Sequence, residues 1–366
     1  MTTIRAVFEA IDEFAPFSHQ DSWDNSGLLV GDPQAPVTKA VVTLDITKAV
    51  VNEAKAEGAQ LIVSHHPVLF QPAKTFLADS VPYQLAAAGI GAICAHTSLD
   101  VAAGGVNSYL ADRLELTDQR PFVRENTRFY RKLVVFCPHE YTNRIHSAMK
   151  EAGAGTLGDY AGCAFVSSGE GRFLPLDEAK PFLGKPGEWE HAKEDRLEMI
   201  CPPSKVEAVL NAMRKTHPYE EPAFDVFETT ALADSDSVGF IGYLDRERQP
   251  EEFAAYVGER LRCGGLRYVP GQRPVKRVAV LGGSGGAYLS HALAADVDAF
   301  VTADLKHHQL LEAMEAGLTL VDAGHFSTED VVVEPLCSRL AARFPQVVFH
   351  KSAVFEDPAR YWTASR

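Results

Sequence analysis

Leu61-Ile62-Val63-Ser64-His65-His66-Pro67 is the stretch on which the reading of this chain turns. Three apolar residues in a row read as a short buried strand. Two adjacent histidines then stand at its end. Neighbours in an extended chain point to opposite faces. Pro67, however, imposes an extended or turning backbone on the residue before it, so both rings can swing around one point. That point could be a metal ion or the gap between two. For an isolated pair, one packed ring and one solvated ring is the commoner outcome. The surrounding chain decides between these readings.

Upstream, Ala40-Val41-Val42-Thr43-Leu44-Asp45 is a β-branched run that ends in an acid, and residues 47–58 read as a helix closing at Gly58. Downstream, residues 80–89 read as a helix, and Gly91 to His96 as a third strand that runs into Thr97-Ser98-Leu99-Asp100. Residues 104–114 make another helix. At the start of the chain, residues 3–14 are an amphipathic helix, and Leu28 to Val30 a short strand after the turn chemistry of Asn25-Ser26-Gly27. Strands alternating with helices predict an α/β architecture with a largely parallel sheet.

The texture changes near Phe129. Arg131 to Cys137 reads as a strand and residues 139–152 as an amphipathic helix; glycines then recur at 153, 155, 158, 162, 169 and 171. Leu197 to Cys201 is a strand, Ser204 to Thr216 a helix and Phe224 to Thr229 a last strand. This is the pattern of a split βαβ, ferredoxin-like unit. Residues 128–229 are therefore expected to form an inserted α+β domain, with Ala231 to Ser237 as its polar exit linker. Residues 1–127 and 230–366 are the flanking halves.

The second half carries a weak repeat of the first. Arg277 to Leu281 is a strand ending in Gly282-Gly283-Ser284-Gly285-Gly286. Asp298 to Thr302 ends in Asp304 with His307-His308, and Leu318 to Val321 runs on to His325-Phe326-Ser327-Thr328-Glu329. Strand two of the first half ends in His65-His66, and strand three in His96 to Asp100. Histidine precedes acid by four residues at both third strands. Two similar α/β halves facing across a cleft would bring these strand ends together, and open α/β sheets place ligands at carboxyl ends.

Composition bounds the function. The chain has 366 residues and a formal net charge of -14, which disfavours a surface built for nucleic acid, since that binding neutralises phosphates with Lys and Arg. The six cysteines lie far apart with no C-x-x-C pair, as expected of reduced thiols in a cytoplasmic protein. The first residues carry charges within an amphipathic pattern, unlike a signal peptide, and no run nears the roughly 18 apolar residues of a membrane span.

His65, His66, Asp100, His325 and Glu329 are nitrogen and oxygen donors of the kind that suits Zn, Mn, Fe, Co or Ni. Five such donors exceed one tetrahedral zinc, and a carboxylate bridging two ions is the arrangement of two-metal hydrolytic sites. His325 and Glu329 share a face if they are helical. Imidazole ligands usually hand their second nitrogen to a carboxylate or carbonyl, a supporting role open to His96 or Asp45. Each feature has a plainer reading: a solvated His-Glu pair, first-turn acids at Asp100 and Glu329, a core histidine at His96. Gly282 to Gly286 could cradle a phosphate, but it lacks the Lys-Ser/Thr of a P-loop, and a tight strand-to-helix turn is the stronger reading. No general acid or base is assigned; Asp304, His307, His308 and His96 are the candidates.

Trp23-Asp24-Asn25-Ser26-Gly27-Leu28, Ser64-His65-His66-Pro67, Ala95-His96-Thr97-Ser98-Leu99-Asp100 and Gly324-His325-Phe326-Ser327-Thr328-Glu329 resemble the motifs of the NIF3-like (DUF34) family, also called GTP cyclohydrolase I type 2 homologs. Gly169-Glu170-Gly171-Arg172-Phe173-Leu174-Pro175 and His217-Pro218-Tyr219-Glu220-Glu221-Pro222 are similar to the insert of its longer bacterial members. The resemblance implies two divalent metal ions on His65, His66, Asp100, His325 and Glu329. It also implies a homohexamer and an insert like the PII and CutA domains. Where this chain has Ser98, the family commonly has Asn. GTP cyclohydrolase activity is attributed to some members and metal binding alone to others. The expectation is therefore a metal-dependent hydrolase acting on a nucleotide, with a non-catalytic metal-handling or regulatory protein as the alternative.

Overall fold

A computed structural model describes residues 1–362. The chain folds as two compact units, one made of Met1–Glu125 and the chain from Asp236 onward, the other of Asn126–Ser235. The strands, in chain order, are β1 (Gly27–Val30), β2 (Lys39–Thr43), β3 (Leu61–Ser64), β4 (Gly91–Cys94), β5 (Thr117–Pro138), β6 (Ala164–Phe173), β7 (Glu190–Cys201), β8 (Phe224–Arg248), β9 (Arg267–Val269), β10 (Val275–Val280), β11 (Ala299–Thr302), β12 (Thr319–Asp322) and β13 (Val348–Lys351).

In the first unit, one sheet has the order β1-β4-β3-β2-β13, parallel except for β1. The second set of strands runs β8-β10-β11-β12-β9, with β10, β11 and β12 parallel and antiparallel strands at each end. Every residue of β3, β4, β11 and β12 is buried. That follows from helices packing on both faces of a parallel sheet. Ala40, Val42, Leu61 and Val63 face one core, with Val7 and Ile11 of the first helix. Val41 and Ile62 face the other, with Val50, Ala54 and Leu85.

The last strand pairs with the sheet of the first half, not with the strands that precede it in sequence. Val348 to Lys351 aligns with Lys39 to Val42. The helix Val333–Arg343 goes with it, burying Val333, Leu336 and Leu340 in the core that contains Ala40 and Val42. The short helix His325–Glu329 is thus the hand-over from one sheet to the other.

The second unit runs β5, helix Thr142–Glu151, β6, β7, helix Val206–Thr216, β8, with strand order β6-β7-β5-β8. Its core joins Leu133, Val135 and Leu197 of the sheet to Ile145, Met149, Val209 and Met213 of the helices. Ala231 to Ser237 does carry the chain out of the second unit, but as strand and not as a polar loop. It lies inside the continuous strand β8, and the chain passes between units within β5 and β8. Its Asp and Ser residues have poor strand propensity alone, and tertiary context overrides it.

Candidate metal centre

The carboxyl ends of β3 and β12, with the helices that follow β4 and β12, carry the candidate ligands. The β3 ladder continues one step past the strand: His65 N–H donates to Thr43 O at 3.3 Å and His66 N–H to Leu44 O at 2.9 Å. This fixes both histidines at the sheet edge. His325 and Glu329 share one helical face, with Nε2 and Oε2 3.0 Å apart. Asp100 closes the four-residue helix Thr97–Asp100.

Glu329 is the hub. Its Oε2 lies 2.9 Å from His66 Nε2, 3.0 Å from His325 Nε2 and 3.7 Å from His65 Nε2, and Asp100 Oδ1 lies 3.6 Å from His65 Nε2. Two triads of donors, His65-Asp100-Glu329 and His66-His325-Glu329, each close enough to hold one ion, share that carboxylate. The far nitrogens are held from outside. His65 Nδ1–H donates to the Ala95 carbonyl at 2.9 Å; His66 Nδ1 meets Asp45 at 2.9 Å and His325 Nδ1 meets Asp304 at 2.7 Å. A carbonyl only accepts, so His65 carries its lone pair on Nε2, which points into the cluster. There His65 Nε2, Asp100 Oδ1 and Glu329 Oε2 are all buried with no aligned hydrogen bond. Buried polar atoms left so are costly. Three facing one another, all donors of metal-ligand type, fit a cation.

The electrostatics match a site that holds protons when it holds no cations. Burial pushes His65 down to about 3. Burial would also lower His66, but Asp45 and Glu329 raise it to about 10. Contact with Glu329 lifts His325 to about 9 against its burial, and Asp304 adds to the rise. Burial and the nearby charge of Glu329 push Asp100 well up. Burial would raise Glu329 too, yet His325 and His66 hold it well below the usual carboxylate range.

The other expected residues fall on both sides of the line. Asp45 and Asp304 support His66 and His325. His96 holds the N-cap position of its helix, and its ring, 5.2 Å from that of His65 and 5.5 Å from that of His66, groups with them closely enough to share an ion. His307 and His308 are not brought to the cluster. They open the helix His307–Ala316 as exposed residues, because successive side chains on a helix splay apart instead of converging. The Gly282–Gly286 turn is no open nest. The N–H groups of Gly282, Gly283 and Gly285 donate to Asn107, Thr328 and Thr302. Gly283 has φ +65°, and a β-carbon there would collide with Glu329.

Two features escaped the sequence. Asp24, its side chain fully buried, accepts from His96 Nδ1 at 2.8 Å, Thr97 Oγ1 at 2.7 Å and Ser26 Oγ at 2.8 Å. Its place in the Trp23-to-Leu28 motif was the available signal. Trp23 and Phe70, 57% and 46% exposed, flank His96 with ring centres 5.8 and 6.1 Å from it. On the other side a cavity of about 550 Å³ opens onto His66 and His325, with Arg267 as its non-histidine cation.

Comparison with known proteins shows what this chain is similar to. The family model described as Duf34/NIF3 (NGG1p interacting factor 3) matches residues 2–358. A Bacillus subtilis protein named GTP cyclohydrolase 1 type 2 homolog is 39% identical over 341 residues, covering 92% of this chain and 91% of its own. A Staphylococcus epidermidis protein of the same name is 34% identical over 370 residues, covering 98% and 99%. Among solved structures, a Bacillus cereus protein related to NIF3 superposes with a TM-score of 0.86 at 33% identity, with 99% of each chain covered. A Staphylococcus aureus structure gives 0.76 at 30% identity, again over 99% of each. With its split donor cluster and its likeness running the length of the chain, this protein belongs to the DUF34/NIF3 family.

Proposed function

We propose that His65, His66, Asp100, His325 and Glu329 hold two divalent metal ions and that the protein is a metal-dependent hydrolase acting on a nucleotide. The observation that carries this is the facing set of buried atoms on His65, Asp100 and Glu329, none with a well-aligned hydrogen bond, with Glu329 common to two donor triads. Two such ions supply Lewis-acid activation of water near neutral pH. The chain's own residues do the rest. Asp45, Asp304 and the Ala95 carbonyl fix the ring orientations of His66, His325 and His65. Trp23 and Phe70 offer an aromatic surface on which a planar base can stack. The name of the relatives makes GTP the first substrate to try.

Protein loaded separately with Zn, Mn, Fe, Co or Ni is assayed on GTP and a nucleotide panel. Turnover that requires metal and is lost in His65→Ala supports the reading. No metal-dependent turnover on any nucleotide contradicts it and leaves metal handling as the function.

A further inference from the structure

Gly169-Glu170-Gly171-Arg172-Phe173-Leu174-Pro175 and His217-Pro218-Tyr219-Glu220-Glu221-Pro222 contribute nothing to the metal centre. Both lie in the second unit, and both line a single cavity of about 660 Å³ there. The walls are aromatic. Phe173 and Phe182 stand 5.9 and 6.2 Å from the Tyr219 ring, centre to centre. The segment after β6 forms one side, through Pro175, Pro181 and Phe182.

The charges around the cavity do not balance. Arg172 is held by Glu170, which also meets His191. Arg196 pairs with Glu198 and lies against the Phe136 ring. Asp195 accepts from His139, Thr142 and Ser168, and Glu220 accepts from the Lys180 N–H. Glu194 and Glu221 also line the cavity, and among the described residues neither forms an ion pair. Glu194 is half-buried on β7, and its carboxylate lies directly over Gly171. Beside Glu194 the Tyr219 hydroxyl is buried without an aligned hydrogen bond. Burial, with Glu194 adding to it, pushes that hydroxyl up and keeps it protonated.

We infer that this cavity is a second ligand site, for a small organic cation with a flat apolar body, its ammonium group on Glu194 and its body between Phe173, Phe182 and Tyr219. A carboxylate without a counter-ion in an aromatic pocket attracts a cation twice over, through the charge-assisted hydrogen bond and through the ring faces. A concave, mostly apolar pocket with a few convergent polar groups is the usual form of a small-molecule site. An anion would meet the unpaired carboxylates of Glu194 and Glu221 and is excluded.

The test uses the full-length protein with 2-phenylethylamine as the cation and 2-phenylethanol as its neutral twin, titrated by calorimetry up to about 10 mM, a range that captures weak probe-sized ligands. The amine is expected to bind saturably, roughly tenfold or more tighter than the alcohol, as loss of one charge-assisted contact implies. Glu194→Gln, nearly isosteric, erases that preference. Phe182→Ala weakens both probes. A melting temperature equal to wild type shows that each variant is folded. Equal binding of amine and alcohol, a preference that survives Glu194→Gln, or no saturable binding overturns the proposal.

Discussion

At the scale of the residue, Glu329 matters most, because its one oxygen faces His65, His66 and His325 together. Glu329→Gln keeps the volume and removes the shared charge. Metal content by elemental analysis is expected to fall to a small fraction of wild type, and retention of full content would exclude Glu329 as a ligand. The supporting acids act more gently: Asp45→Asn and Asp304→Asn are each expected to lower metal affinity by roughly 10- to 100-fold. Proton release is a separate check. Metal binding there would displace protons from His66 and His325, raised to about 10 and about 9 in the metal-free site. Calorimetry in buffers of different ionisation enthalpy should therefore show proton release, and its absence would contradict the cluster's electrostatics. The metal-free protein also has a signed pH dependence. His66 titrates near 10 when folded against 6.5 ordinarily, so its stabilisation is complete below pH 6.5 and is lost as pH rises toward 10. The melting temperature should fall across that window, and less steeply in His66→Gln. The proposed ligands could be picked out in sequence because each pair, His65 with His66 and His325 with Glu329, is local in the chain. Asp24 could not, since its partner His96 lies 72 residues away. His307-His308 looked like His65-His66 in sequence and differ only because their backbone is helical.

At the scale of the element, the alternation of strands and helices was readable wherever an apolar run closed at a turn residue, as at Leu61 to Ser64 and Gly91 to Cys94. It was not readable where pairing outweighs propensity. The Asp and Ser residues of 231–237 read as a loop and are strand. Val348 to Lys351, four residues long with an exposed Val348, has no pattern that names its partner, and its pairing with β2 depends on where the preceding helix docks. That docking has a consequence. Leu340, 1% exposed in the core of the first half, is predicted to cost about 2–5 kcal/mol on truncation to alanine, measured by urea unfolding. A loss below about 1 kcal/mol would mean the helix Val333–Arg343 is not part of that core.

At the scale of the whole molecule, the candidate metal site and the fold are the same construction. Residues 61–100 and 322–329 lie far apart in sequence, with the second unit inserted between them, and the short helix His325–Glu329 joins the two sheets at the cluster. Cations held there would tie the halves of the first unit together, so chelation should lower the melting temperature of wild type and leave His66→Ala unchanged. An equal shift in both would separate metal from fold. The repeat of strand ends made the split site legible, whereas a crossing of the final helix and strand into the first sheet has no counterpart in the repeat. The most direct test is anomalous diffraction from crystals of the untreated protein, with metal identified at its absorption edge. Two peaks are predicted beside Glu329, one within bonding distance of His65 and Asp100, the other of His66 and His325. One peak, or none, at that cluster would contradict a dinuclear centre.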